Sequence, residues 1–347
     1  MNNHDNPAKR PLNLSAATAI LFIVITLLLS GAGNSFAKEE GRSWLGRLKD
    51  FATSSEEEAI DKRQSFIMVD EVRRRYYLHL PAGRKDNKPV PLVMAFHSGN
   101  GGGIRLSVQS GFNELADKEG FAVVYPDSTD QWNDGRAKAS SLKDIRLTKA
   151  LIKKLVKEDN IDPGRIYATG ILNGGMFTLR LACDMAGDFA GFAPVLASMP
   201  EDYVDSCRPS RKVPLILFSA TGNNMVPWKG GSVPFGGGFT PGGNVIAVDK
   251  TVQFWQEHNG CSAEAFTETL PDRDRADGTR VELVRYKGCG KGSALAHVII
   301  KNGGSTWPGS HEKAGRMRTT MIGLTSYDID AAEMIWEFFR ENTPEQK

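Results

Sequence analysis

From about residue 72 onward, hydrophobic positions alternate between two periods. Short apolar runs at Tyr76–Leu80, Leu92–Phe96, Phe121–Tyr125, Arg165–Thr169, Phe192–Leu196, Leu215–Ser219 and Val281–Tyr286 read as strands. Between several of them the apolar residues recur at helical spacing, predicting helices over Leu106–Glu119, Leu142–Glu158, Gly175–Met185 and Val245–His258, with a last one over Asp328–Glu341. Strands alternating with helices specify an α/β fold: a mostly parallel central sheet with helices on both faces. Residues 229–243 are rich in glycine and show no periodicity, which reads as a mobile flap.

The N-terminal part follows a different pattern. Lys9 and Arg10 precede an uncharged apolar stretch from Ala16 to Leu29, and small residues at Ser35-Phe36-Ala37 are followed by Lys38. This is the layout of a secretory signal peptide over residues 1–37, cleaved after Ala37, and the apolar stretch is short for a membrane span. No transmembrane span is expected in the chain that remains, whose destination would be the periplasm or the extracellular medium. Residues 38–71 form a charged segment in which Trp44, Leu45, Leu48 and Phe51 share one helical face. Such a stripe suits packing on the parent domain or contact with a membrane surface.

The whole chain has 347 residues, 40% of them hydrophobic, and a formal net charge of +2. It is long enough for one large α/β domain, expected over residues 72–342, and it lacks the basic runs that nucleic-acid binding requires. No cofactor or metal is called for, and no protein partner is indicated. Export alters the meaning of the four cysteines. In an oxidising compartment they suggest two disulfides, and the most local of the three possible pairings joins Cys183 to Cys207 and Cys261 to Cys289. Each would close a loop of roughly 25–30 residues and contribute about 3 kcal/mol in the chain-entropy model.

The candidate chemistry centres on Gly170-Ile171-Leu172-Asn173-Gly174. A G-x-S-x-G nucleophile elbow is a sharp strand-to-helix turn that lifts a serine oxygen to the top of a parallel sheet. Here the flanking strand, the glycines and the following helix are all present, and a leucine occupies the nucleophile position. Leucine has no lone pair and no proton to transfer. Leu172 should therefore sit in a relaxed turn, free of the strain a functional elbow carries, or fill the old pocket as a plug.

Further motifs fall in one order: Pro91-Leu92-Val93-Met94-Ala95-Phe96-His97-Ser98-Gly99, Gln131-Trp132-Asn133-Asp134-Gly135-Arg136, the run Ile161–Gly170 into the elbow, and Gly303-Gly304-Ser305-Thr306-Trp307-Pro308-Gly309. Together they resemble the secreted polyhydroxybutyrate depolymerase and feruloyl esterase-like family of α/β hydrolases, over roughly residues 72–342. The resemblance implies an α/β-hydrolase fold and ester hydrolysis by a Ser-Asp-His triad. It also implies an oxyanion hole from the backbone N–H groups near Gly99 and at Asn173, with Ser98 where the family has glycine. Matched position by position, the triad sites are Leu172, Asn223 and Ser305, so no triad member survives.

Loss of the serine or the histidine alone removes on the order of a million-fold in turnover. About a thousand-fold over water remains from the oxyanion hole and binding. The expectation is a catalytically inactive homologue whose remnant cleft binds an ester, sugar or polyester ligand, with His97 in the oxyanion turn and Trp132, Trp228 and Trp307 around the cleft. Two alternatives stand beside it. In one, an active hydrolase uses a relocated nucleophile. Among His79, His97, His258, His297 and His311, the last would be its base, while Thr169 and Thr178 would point away from the site. The other is a structural or interaction role on the cell surface, through the N-terminal stripe and the glycine-rich segment.

Overall fold

The strands that read as unbroken apolar runs occupy the middle of the sheet, where both faces are covered. A computed structural model describes residues 64–85, 88–99, 101–128, 131–137, 143–234, 241–312 and 316–343, all within the unit Ile60–Lys347. The expected signal peptide and the stripe of Trp44, Leu45, Leu48 and Phe51 lie outside the described residues.

In chain order the elements are β1 (Gln64–Val69), β2 (Val72–His79), β3 (Val90–Phe96), α1 (Gly103–Ser110), α2 (Phe112–Glu119), β4 (Ala122–Pro126), α3 (Asp144–Glu158), β5 (Ile161–Ile171) and α4 (Asn173–Asp184). They continue with β6 (Gly191–Val195), α5 (Glu201–Val204), β7 (Pro214–Ala220), β8 (Gly231–Pro234), β9 (Pro241–Val245), α6 (Val248–Asn259), β10 (Ala265–Thr269), β11 (Arg280–Tyr286), β12 (Ala294–Lys301), α7 (Arg316–Ile322) and α8 (Ala331–Asn342). Ten strands form one sheet in the order β1-β2-β4-β3-β5-β6-β7-β12-β11-β10. The stretch from β4 to β12 is parallel, and antiparallel strands extend it at both edges.

Alternation along the central strands divides the core in two. In β3, Leu92, Met94 and Phe96 enter one cluster, with Leu147 and Leu151 of α3, Met176 of α4 and Trp255 of α6. Val93 and Ala95 enter the other, with Leu106 of α1, Phe112 of α2 and Ile335 and Phe339 of α8. Side chains alternate across a strand, so a strand covered by helices on both faces is apolar throughout. This is the α/β-hydrolase architecture. Both local disulfides are present, Cys183–Cys207 and Cys261–Cys289.

Three expectations need correction. The sheet begins before residue 72, because β1 pairs along its length with β2. The single helix over Leu106–Glu119 is two, broken at Gly111, whose φ is 68°. The His311 ring packs where a side chain at 111 would stand, and the His311 N–H donates to the Gln109 carbonyl at 3.2 Å. Within the glycine-rich segment, β8 and β9 pair antiparallel as a separate two-stranded sheet; residues 235–240 lie outside the described residues.

Candidate active site

Three glycines set the geometry of the elbow by close approach. A side chain on Gly170 would meet the Gly174 carbonyl at 2.4 Å, one on Gly174 the Phe96 carbonyl at 2.1 Å, and one on Gly175 the Ala197 side chain at 2.8 Å. The turn between β5 and α4 is thus clamped against β3 and the end of β6. Leu172 sits at its apex with φ 53° and ψ −115°, in a region that non-glycine residues rarely adopt. Its N–H donates to the Val195 carbonyl at 3.0 Å and its carbonyl accepts from Met176 N–H at 2.8 Å. The strained turn is therefore retained, and the relaxed alternative is wrong. Leu172 lines a cavity of about 530 Å³ and also packs against both core clusters.

The segment Gln131–Arg136 braces this turn from below. The Asn173 amide accepts from Trp132 N–H at 2.8 Å and donates to the Trp132 carbonyl at 3.1 Å and to Asp134 at 2.6 Å. Asp134 is paired with Arg136 at 2.7 Å, both side chains fully buried, and Arg136 also donates to Gln131 at 2.8 Å and to the Gly242 carbonyl of β9 at 3.1 Å. A buried guanidinium tied to Asp134, Gln131 and Gly242 in this way is held in place by the fold.

The other two positions matched to a triad by resemblance follow parallel strands, Asn223 beyond β7 and Ser305 beyond β12. Open α/β sheets build their sites at this carboxyl end. Asn223 Oδ1 accepts from the N–H groups of Met225 and Val226, at 3.0 Å each, and from the Ser305 hydroxyl at 2.7 Å. The Asn223 and Ser305 side chains therefore touch, through a neutral bond. Ser305 is buried and lines the same cavity as Leu172, Asn173 and Gly99.

His97 also lines the cavity, but neither ring nitrogen is free. Nδ1 donates to the Ser98 carbonyl at 2.7 Å, and Nε2 accepts from Ser128 N–H at 3.0 Å. Burial lowers its pKa from the usual histidine value, which agrees with a neutral ring in a fixed tautomer. His311 is exposed, lies outside the cavity lining and stands 3.8 Å from the Asp330 carboxylate. Thr169 and Thr178 are buried and donate to the carbonyls of Ala193 and Gly174.

The three tryptophans part company. Trp307 lines the cavity and packs on Phe112 with ring centroids 5.8 Å apart. Trp132 is fully buried between Phe96 and Phe177, its indole N–H donating to the His97 carbonyl at 2.9 Å. Trp228 stacks on His297, 6.0 Å away, outside the cavity. Trp132 and Trp228 are therefore packing residues, and the expectation that they surround the cleft is corrected. The cavity wall instead includes Arg105, Asn224 and the flexible side chains of Met176, Met225 and Met321. Asn224 directly follows the acid position, and that adjacency was a readable signal. The methionines carried none, since an isolated Met reads as core. Among the described residues, none of the lining side chains is a carboxylate.

No family model matches the chain. The chain is 25% identical over 288 residues to NocK of Nocardia uniformis subsp. tsuyamanensis, an esterase by attribution, which covers 78% of this chain and 80% of that protein. It is 26% identical over 240 residues to feruloyl esterase B of Piromyces equi, covering 67% of this chain but only 42% of the relative's own length. Among solved structures, the acetyl xylan esterase from Aspergillus awamori superposes with a TM-score of 0.50 at 12% identity, over 70% of this chain and 94% of that one. The fold and the elbow define the class as α/β hydrolase. Within that class the chain is a homologue of the esterase-type enzymes.

Among the described residues no helix is long and apolar enough to cross a membrane.

Proposed function

We propose that this chain is an exported, catalytically inert member of the esterase group that uses its preserved cleft to bind a carbonyl-bearing ligand. The observation that carries the reading is the content of a fully formed site: Leu172 at the elbow apex, a neutral Ser305–Asn223 pair behind it, and one cavity histidine with both nitrogens engaged. Covalent ester hydrolysis needs a nucleophile within reach of a base, and the described lining residues provide no such couple. The oxyanion-hole positions Gly99 and Asn173 require only backbone N–H groups and line the same cavity.

The relatives are named for feruloyl and acetyl xylan esters, so the ligand proposed here is an ester, a sugar-linked acyl group or a polyester segment. Signal-peptide cleavage after Ala37 and export to the periplasm or medium complete the reading, supported by the N-terminal pattern and the two disulfides. The test is hydrolysis of p-nitrophenyl acetate and butyrate by the mature protein, together with labelling by a serine-directed fluorophosphonate. Neither reaction should exceed the buffer control. Turnover that is lost on labelling would overturn the proposal and identify a relocated nucleophile.

A further inference from the structure

Three walls of the cavity come from separate parts of the chain: Gly99 follows β3, Asn173 opens α4 and Pro241 opens β9. β9 pairs with β8 in a separate sheet, so no ladder ties its cavity end to the central strands. All three walls nevertheless lie one contact away from the same ion pair, Asp134–Arg136, whose side chains are fully buried. Asp134 Oδ2 accepts from Asn173 Nδ2 at 2.6 Å. Arg136 Nη2 donates to Gln131 Oε1 at 2.8 Å, and Gln131 packs so closely on Gly99 that a Cβ there would stand 3.2 Å from Gln131 Cγ. Arg136 Nη1 donates to the Gly242 carbonyl at 3.1 Å, beside Pro241. The next residue, Gly243, comes so near that a Cβ on it would lie 3.2 Å from Arg136 Cβ.

Only a guanidinium can hold these parts together. Its Nε and Nη2 grip Asp134 at 2.9 and 2.7 Å, and the planar fork still aims Nη2 at Gln131 and Nη1 at β9. Burial keeps water from competing for these bonds. The other anchors of β9 sit at its far end, where Val245 bridges to Pro200 and the Ile246 N–H donates to the Met199 carbonyl at 2.9 Å. The cavity end, Pro241–Gly242, therefore depends on Arg136. We propose that Arg136 is the positioning residue of the cavity, holding the Gly99 turn, the elbow and β9 as one unit. On the reading above, it would fix the spacing of the two carbonyl-binding positions, Gly99 and Asn173, and carry the β9 wall beside them.

Hydrogen exchange of the mature protein, read by mass spectrometry, tests this without a ligand, so its outcome is independent of the carbonyl-binding reading. Arg136→Lys keeps a charge beside Asp134 but has no fork to span Gln131 and Gly242. Losing a hydrogen bond to a charged group corresponds to about tenfold or more in local opening. Arg136→Lys should therefore speed exchange about tenfold or more in β9 and at Gly101, whose N–H donates to the Ser98 carbonyl at 2.8 Å. Exchange in α8, remote from this network, should stay within about twofold. Gln131→Ala leaves the Arg136–Gly242 bond in place and should speed exchange at Gly101 but not in β9. Unchanged β9 exchange in Arg136→Lys overturns the assignment. So does an equal rise in β9 and α8, which would reduce the ion pair to a contributor to global stability. If Arg136→Lys does not fold, Gln131→Ala decides: no rise at Gly101, or an equal rise in β9, overturns the assignment.

Discussion

Restoring the triad is the strongest test of whether the site has kept its geometry. The perturbation is Leu172→Ser, Asn223→Asp and Ser305→His together. At position 172 the backbone is already in the strained elbow conformation, and the glycine contacts that impose it are independent of the side chain. At position 223 a carboxylate would inherit two N–H donors at 3.0 Å, which favours its charged form. At position 305 the existing 2.7 Å contact shows that a side chain there reaches the acid, and the adjoining cavity gives an imidazole room. Removing serine or histidine from a working triad costs on the order of a million-fold and removing the acid on the order of ten-thousand-fold, with grossly non-additive effects. The single variants should therefore stay at the native background, and the triple variant should rise by at least about a thousand-fold. The assay is p-nitrophenyl butyrate hydrolysis, with fluorophosphonate labelling to count the new nucleophile. A folded triple variant with no increase and no labelling would refute the claim that the elbow, the acid and the base positions still form one site.

Other consequences concern stability. His297 on β12 is buried with Nε2 unpartnered, and desolvation, aided by Lys301, lowers its pKa to about 4. As pH falls below about 6.5 the unfolded chain takes up a proton that the folded chain refuses until about pH 4. Stability should therefore drop by about 3 kcal/mol across that window, and urea titrations of His297→Phe should show about one proton less of pH dependence. Replacing Cys183 and Cys207 by serine opens a loop with a sequence separation of 24. This should cost about 3 kcal/mol in denaturant unfolding, and a loss under about 1 kcal/mol would contradict that estimate. Gly174→Ala would place a methyl 2.1 Å from the Phe96 carbonyl and should destabilise by about 3 kcal/mol or more, visible as a lowered urea midpoint; wild-type stability in this variant would mean that the elbow can relax.

What could be read from the sequence depended on whether the cause was local. The central strands were legible because parallel strands covered on both faces must be apolar throughout, as in Val90–Phe96. β12 escaped notice although it belongs to the parallel part of the sheet, because His297 interrupts its apolar run. β10 is exposed along its whole length and offers no hydrophobic signal. The break at Gly111 looked like a glycine inside a helix, since the side chain that occupies its space, His311, comes from a distant part of the chain. The same distinction holds for the site. Glycine and motif spacing group Leu172, Asn223 and Ser305, and the structure places Leu172 and Ser305 on one cavity with Asn223 hydrogen-bonded to Ser305. The roles of Arg105, Asn224 and Met321 depend on how α1, α7 and the turn after β7 come together at the end of the sheet, and no local pattern encodes that.

The strain at Leu172 bears on the proposed loss of catalysis. A residue held at φ 53° and ψ −115° is disfavoured by about 1–3 kcal/mol, and such strain usually marks function. Here the angles are imposed by Gly170, Gly174 and Gly175 fitting against β3 and the end of β6, contacts that belong to the core. The side chain at the apex can therefore change without altering the turn. Leucine also gains what serine could not, apolar contact with both core clusters, which offsets part of the strain. Substitution at the apex removes the chemistry and leaves the turn, the brace of Asn173 on Trp132 and Asp134, and the N–H groups beside them. In the proposed reading, catalysis would reside in three replaceable side chains, whereas carbonyl recognition would reside in a backbone the core cannot give up. On the proposed reading, a chain that loses the first while still folding keeps the second, and binding is the function that reading predicts.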